Sequence, residues 1–209
     1  MCDSAHDKDH VYRVLYTAME IAEGCEEVNK DILIAACLLH DIGRKEQLED
    51  AALCHAAVGA EKAYNFLIDK GFEEKFATHV KACIETHRFR KNSTPQSIEA
   101  KILFDADKLD VSGAIGIART LIYKGTVSDP LYSLNSDGTV SDGSGDKTPS
   151  FFQEYKYKLE NLYANFYTEK GKQMALERRQ AAIDFYESLY KEMCSSYGEG
   201  KTALENYIK

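Results

Sequence analysis

The chain has 209 residues, 44% of them apolar and 29% charged, which is the composition of a folded globular protein and excludes a disordered or fibrous one. Its formal net charge of -8 argues against a general nucleic-acid grip, because such binders present basic surfaces. A small anionic ligand stays compatible, since a local basic patch can oppose the global sign.

Only three prolines occur, and long stretches lack them, which favours helices. The spacing of apolar residues predicts a first helix over 8–23, ending near Gly24. A second runs from about Asn29, an N-cap residue type, to Gly43. A third lies near 55–70 and stops at Gly71; a fourth spans about 73–88. A fifth follows Pro95 and continues to about 110, with another to 123.

From 124 to 150 the composition changes. Asp129-Pro130, Ser136-Asp137-Gly138 and Asp142-Gly143-Ser144-Gly145-Asp146 are turn formers, so this stretch reads as a long loop with room for a short hairpin. Loops of this length are often lids or simply mobile, and the composition leans toward a mobile one. After it the helical spacing resumes. Phe152, Tyr155, Leu159, Leu162, Tyr163 and Phe166 form an aromatic stripe that fits core or a subunit contact, so a homodimer is compatible. A last helix runs from about Gln173 to Met193. The whole is expected to be one domain, with a core over about 1–123 and C-terminal helices over about 151–209.

None of the six cysteines, Cys2, Cys25, Cys37, Cys54, Cys83 and Cys194, forms a CxxC pair. Cys37 and Cys83 sit within apolar helical patterns, as buried thiols do. Reduced cysteines, a polar acidic N-terminus without a signal-peptide core and no apolar run of ~20 residues lead to the expectation of a soluble cytoplasmic protein, away from membranes.

The chemistry is concentrated in polar residues on apolar faces. His10 shares a helix face with Val14, Ala18 and Ile21; His40 with Leu33, Ala36 and Cys37; Asp107 with Ala100, Leu103 and Phe104. A buried polar group without a partner costs a few kcal/mol. One shared divalent cation would satisfy all three positions together. His40-Asp41 closes the apolar run ILIAACLL, and Gly43 ends the helix behind it. Two imidazoles and two carboxylates make a nitrogen and oxygen site without thiolates, suited to Mn, Fe, Co, Ni or Mg.

HVYRV at 10–14, LLHDIGR at 38–44 and DADKLD at 105–110 resemble the HD superfamily of metal-dependent phosphohydrolases. His10, His40-Asp41 and Asp107 match its ordered pattern. The likeness continues through GAIGIAR at 113–119 and MALERRQAAIDFY at 174–186, and so covers most of the chain. It is nearest to small bacterial single-domain members, some of which are nucleotide pyrophosphohydrolases. The resemblance implies an all-α orthogonal bundle with added C-terminal helices. It also implies hydrolysis of a phosphoester or phosphoanhydride in a nucleotide or other small phosphorylated substrate.

Two further histidines bear on the site. His55 opens the third helix, and His87 follows Phe76, Val80, Cys83 and Ile84 on the inward face of the fourth. Members of the family with two metals use additional histidines at comparable places, so His55 and His87 are candidates for a second ion or a substrate phosphate. They also suit hydrogen bonding behind the ligands. His79 falls one step off the inward stripe and is expected at the surface, and His6 in a frayed terminus.

Arg44 and Lys45 follow the His-Asp pair, and Arg88, Arg90 and Lys91 follow His87, so cations ring the expected mouth and suit phosphate oxygens. Arg13 either lies near the site or orients a carboxylate. Lys108 reaches a phosphate or solvent. Asp110 shares a face with Asp107 and fits a role behind the ligands. Some nucleotide-cleaving members carry a carboxylate three residues after the His-Asp aspartate. Arg44 stands there instead, which points Asp41 to ligation and water orientation and Arg44 to charge stabilisation. Two rival readings are a di-iron oxygenase on the same fold and a nucleotide sensor without turnover.

Overall fold

The computed structural model describes residues 7–50, 52–88 and 94–209. Among them the regular structure is helical, and pairing of extended backbone is confined to an isolated antiparallel bridge between Leu134 and Val140. The chain divides into two compact units: Met1–Asp110 with Asn165–Met174, and Val111–Ala164 with Ala175–Lys209.

Among its described residues up to Asp110, the first unit holds α1 (Lys8–Ile21), α2 (Lys30–Leu39), α3 (Arg44–Glu49), α4 (His55–Asp69), α5 (Glu74–Glu85) and α6 (Ile98–Leu109). α2 is the central element and packs against α1, α5 and α6. That explains its composition, because a helix covered on several sides is apolar nearly all round. Ile32, Leu33, Ala36 and Cys37 are all buried. The Asn29 side chain accepts from the N–H groups of Asp31 and Ile32 and starts the helix, as its residue type predicts.

α1 presents a narrower stripe, with His10, Val14, Ala18 and Ile21 buried. α4 ends at Asp69, and Gly71 just beyond it has a φ of +83°, which few other residues adopt readily. Gly43 has a different task. A Cβ there would fall 2.4 Å from the His55 carbonyl oxygen and 2.6 Å from the Gly59 nitrogen. The turn after α2 can therefore lie against the start of α4 only without a side chain, and this brings the His-Asp pair and His55 together.

Two boundaries differ from the sequence expectation. α2 stops at Leu39, and α3, a further short helix, follows the turn at 40–43. α5 stops at Glu85, so His87 sits in the turn beyond it. There its ring bends back onto the Ile84 carbonyl, 2.6 Å from Nδ1.

In the second unit, α7 (Gly113–Thr126) precedes the long loop, and α8 covers only Phe151–Glu154. The expected helix over the aromatic stripe is broken into a π-helical stretch, Tyr155–Leu159, and a 3-10 turn, Leu162–Ala164. The Asn161 amide donates to the Lys156 carbonyl at 2.8 Å and competes with the helical ladder. The stripe is core: Phe152, Tyr155, Leu159, Leu162 and Tyr163 are buried. Tyr155 stacks on Tyr186 with ring centroids 4.0 Å apart. The loop is tied to itself by more than composition suggests. Ser133 and Ser141 both donate to Asp146, and Val140 and Ser141 are buried. α9 (Glu169–Tyr207) is longer at both ends than the expected span and contributes residues to both units.

Candidate metal centre

The site lies wholly within the first unit. α1 supplies His10, the end of α2 supplies His40 and Asp41, α4 supplies His55, the turn after α5 supplies His87, and α6 supplies Asp107. All four histidines are almost fully buried.

Each imidazole is fixed from behind through Nδ1. His10 Nδ1 lies 2.6 Å from Asp110 Oδ2, and Asp110 is itself held by Arg13 through Nε at 2.7 Å and Nη2 at 3.1 Å. His40 Nδ1 lies 2.7 Å from the Cys37 carbonyl oxygen. His55 Nδ1 lies 2.6 Å from Gln47 Oε1, and His87 Nδ1 meets the Ile84 carbonyl. These four oxygens are acceptors, so each ring is set as its Nδ1–H tautomer with the Nε2 lone pair turned to the opposite side.

Those lone pairs meet at Asp41. Its Oδ2 is 3.5 Å from His10 Nε2 and 3.6 Å from His40 Nε2. Its Oδ1 is 3.6 Å from His55 Nε2 and 3.8 Å from His87 Nε2. Asp107 Oδ1 joins the first group at 3.4 Å from His10 Nε2 and 3.9 Å from His40 Nε2. His10, His40 and Asp41 offer atoms that all lie within 4.8 Å of one another, and so do Asp41, His55 and His87. Asp41 thus serves two adjoining sets.

The charge states suit ligation. Burial raises the Asp41 carboxyl, but His40, His10 and Arg44 outweigh it and hold the group well below the usual carboxylate range. Burial also opposes ionisation of Asp107, yet His10, His40 and His87 bring it down to about 2. Burial pushes His87 down to about 4, helped by His40, and His55 down to about 2, helped by Arg44 and His87. Anionic carboxylates and neutral imidazoles are the forms that bind metal.

A cation fits this arrangement. Asp41 Oδ2, His55 Nε2 and His87 Nε2 are buried and have no hydrogen-bond partner. Three acceptors left so at one place cost several kcal/mol unless a positive centre meets them. The donor set is nitrogen and oxygen, as divalent Mn, Fe, Co, Ni or Mg would take.

The basic residues divide. Arg44 reaches the site, with Nε 2.9 Å from Asp41 Oδ1. Arg88 Nη1 lies 3.3 Å from His55 Nδ1. Arg13 orients the carboxylate of Asp110. Lys45 is instead 69% exposed and pairs with Glu49 at 3.7 Å. Lys108 lies over the Phe104 ring and donates to the Asn165 carbonyl at 3.0 Å; burial pushes its amine down to about 8. Arg90, Lys91 and His6 lie outside the described residues. His79 is half-buried, with Nε2 3.2 Å from Glu99 Oε2.

Sequence reasoning misses Gln47, because its role depends on the unforeseen helix α3. It misses Asp105 as well. That fully buried carboxylate accepts from the N–H groups of Tyr167 and Thr168 and from the Thr168 hydroxyl. Asp105 lies two residues before Asp107, which is the one local hint, since neighbouring carboxylates on a buried helix point to different partners.

Residues 8–112 match the family model of the HD domain. The chain belongs to the HD-domain family. The matched span holds His10, His40, Asp41 and Asp107, and nearly coincides with the first stretch of the unit that contains the site. The HD chain is 30% identical to YpgQ of Bacillus subtilis (strain 168) over 194 residues, 91% of this chain and 85% of that one. The crystal structure of Bacillus subtilis YpgQ in complex with ADP superposes with a TM-score of 0.70 at 28% identity, over 91% of each chain. An HD-superfamily hydrolase from Bacillus thuringiensis gives 0.65 at 32% identity, over 90% of this chain and 86% of that one. Family and cluster together support a metal-dependent hydrolase.

Proposed function

We propose that this HD protein hydrolyses a phosphoester or phosphoanhydride in a nucleotide or another small phosphorylated substrate, using a divalent metal. The observation that carries the reading is the buried cluster around Asp41, in which Asp41 Oδ2, His55 Nε2 and His87 Nε2 have no hydrogen-bond partner. His10, His40, Asp41 and Asp107 would hold one ion, and His55, His87 and Asp41 a second. A divalent cation held there draws charge from phosphate oxygens and makes water a stronger nucleophile near neutral pH.

The chain's own groups divide the remaining work. Asp41, held as a carboxylate, is placed to orient the attacking water as well as to ligate. Arg44 faces Asp41 through Nε and carries further N–H groups whose fork suits phosphate oxygens. Arg88, beside His55, adds positive charge on the same side. Lys108 stands next to Asp107 as a second candidate for a phosphate. Asp110 and Arg13 act through His10 rather than on substrate. The ADP in the YpgQ structure supports a nucleotide as substrate class.

The test is a screen of nucleotides and phosphomonoesters against Mn, Fe, Co, Ni and Mg, reading phosphate and pyrophosphate release. Turnover with at least one metal is expected. His40→Ala should abolish turnover and the tight uptake of metal, and full activity in that variant refutes the site. Nucleotide binding without turnover would mark a sensor. Oxygen consumption at two irons per chain would mark an oxygenase.

A further inference from the structure

The two sets that share Asp41 are not equivalent, and the difference lies in what stands behind them. His10 is backed by the Asp110 carboxylate, buried and clamped by Arg13. A carboxylate behind an imidazole raises the basicity of its far nitrogen. His55 is backed by a neutral amide, Gln47, whose own Nε2 donates to the Leu53 carbonyl at 3.2 Å. Gln47 fixes the tautomer of His55 but adds no charge.

The shared carboxylate is divided as unequally. Oδ2, which faces His10 and His40, has no hydrogen-bond partner. Oδ1, which faces His55 and His87, already accepts from Arg44 Nε at 2.9 Å. The first set also has Asp107 Oδ1 within 3.9 Å of both its imidazole nitrogens. Asp107 and half of Asp41 therefore serve one end, with a further carboxylate, Asp110, behind it. The other end has half a carboxylate, and that half is held by a cation.

We infer that the centre loads in order: the His10–His40–Asp107 end takes a divalent cation tightly, and the His55–His87 end takes a second one weakly, with Gln47 and Arg44 setting the difference. Gln47 and Asp110 are positioning residues that act through the histidines. The weakly held position is the exchangeable one, filled at high metal concentration or together with an anionic substrate that adds its own oxygens. This inference rests on the metal reading above and goes beyond it by ranking the two positions and naming what ranks them.

Calorimetric titration of the chelator-stripped full chain with Mn alone tests it, with electron paramagnetic resonance to detect paired Mn. Two steps are expected, separated by tenfold or more. His87→Ala should remove the weak step and keep the tight one; His10→Ala should do the reverse. Asp110→Asn should loosen the tight step by about 10- to 100-fold and spare the weak one, the range seen when a partner behind a metal ligand is lost. Gln47→Glu places a carboxylate behind His55 and should tighten the weak step by about tenfold on the same scale. Gln47 is half-buried on a six-residue helix, so this variant is expected to fold even where Asp110→Asn does not.

Two steps of equal strength in the parent protein overturn the ordering. So does a weak step indifferent to Gln47→Glu, including the case where the parent shows one step and the variant brings no second into range. Absence of any Mn uptake is a different result, and it removes the metal reading itself.

Discussion

At the scale of single residues, burial decides which groups react. The Cys37 and Cys83 thiols are completely buried, and burial pushes the Cys83 thiol up to about 12 and Cys37 higher still. Both stay protonated in the folded protein at pH 8, where the thiolate is the reactive form. Mass mapping after a short iodoacetamide pulse should find both unmodified, and both labelled once urea unfolds the chain. Labelling of either in the native protein at the rate of an exposed cysteine contradicts the packing of α2 and α5. Because an unfolded thiol ionises near pH 9 and these two cannot, the unfolded chain binds fewer protons above that pH. Stability therefore falls as pH rises past 9.

These positions were legible because their signal is a period. His10, His40 and Asp107 interrupt apolar faces that repeat every three or four residues, and a face of that kind is set by chemistry close along the chain. Gln47 was not legible. It meets His55 only because α3 forms after the turn at Gly43, and Gly43 is there for a close approach to α4 that no local pattern records. Lys45 and Arg44 are adjacent in sequence yet part in space, since successive residues on a helix point about 100° apart. Arg44 faces Asp41 and Lys45 faces Glu49.

At the scale of elements, α6 does two things with carboxylates two residues apart. Asp107 turns to the histidines, and Asp105 turns to the segment 165–171, which holds the start of α9. The Asp105 side chain accepts from three donors on Tyr167 and Thr168, and a Cβ on Gly171 would come within 3.0 Å of its Cβ. Burial raises its carboxyl in spite of these donors. Asp105→Ala leaves buried N–H groups without acceptors and should cost about 2–4 kcal/mol in urea unfolding. Asp105→Asn keeps one acceptor oxygen and removes the buried charge, so it should cost less. A loss equal to that of Ala would show that charge, rather than the acceptor, holds the segment. The start of α9 was missed in the sequence for this reason: its first turn is anchored by a residue far back in the chain, whereas the periodic apolar stripe begins later.

At the scale of the whole molecule, the proposed ligands are spread from residue 10 to residue 107 and come from α1, the end of α2, α4, α6 and the turn after α5. None of these segments can hold the ion alone, so binding is linked to the folding of the unit that contains them. A ligand that binds only the folded state stabilises it by about 2.7 kcal/mol at a hundred times its dissociation constant. Saturating Mn should therefore raise the Tm of the stripped protein, and His40→Ala should lose most of that rise. Hydrogen exchange locates the effect. Mn should slow exchange in α1, α2, the first turn of α4 and α6, where the ligands reside. It should leave the loop at 127–150 and the exposed far end of α9 unchanged. Protection that appears in the loop instead, with α1 and α6 unmoved, would place the ion among the loop's aspartates and away from the histidines.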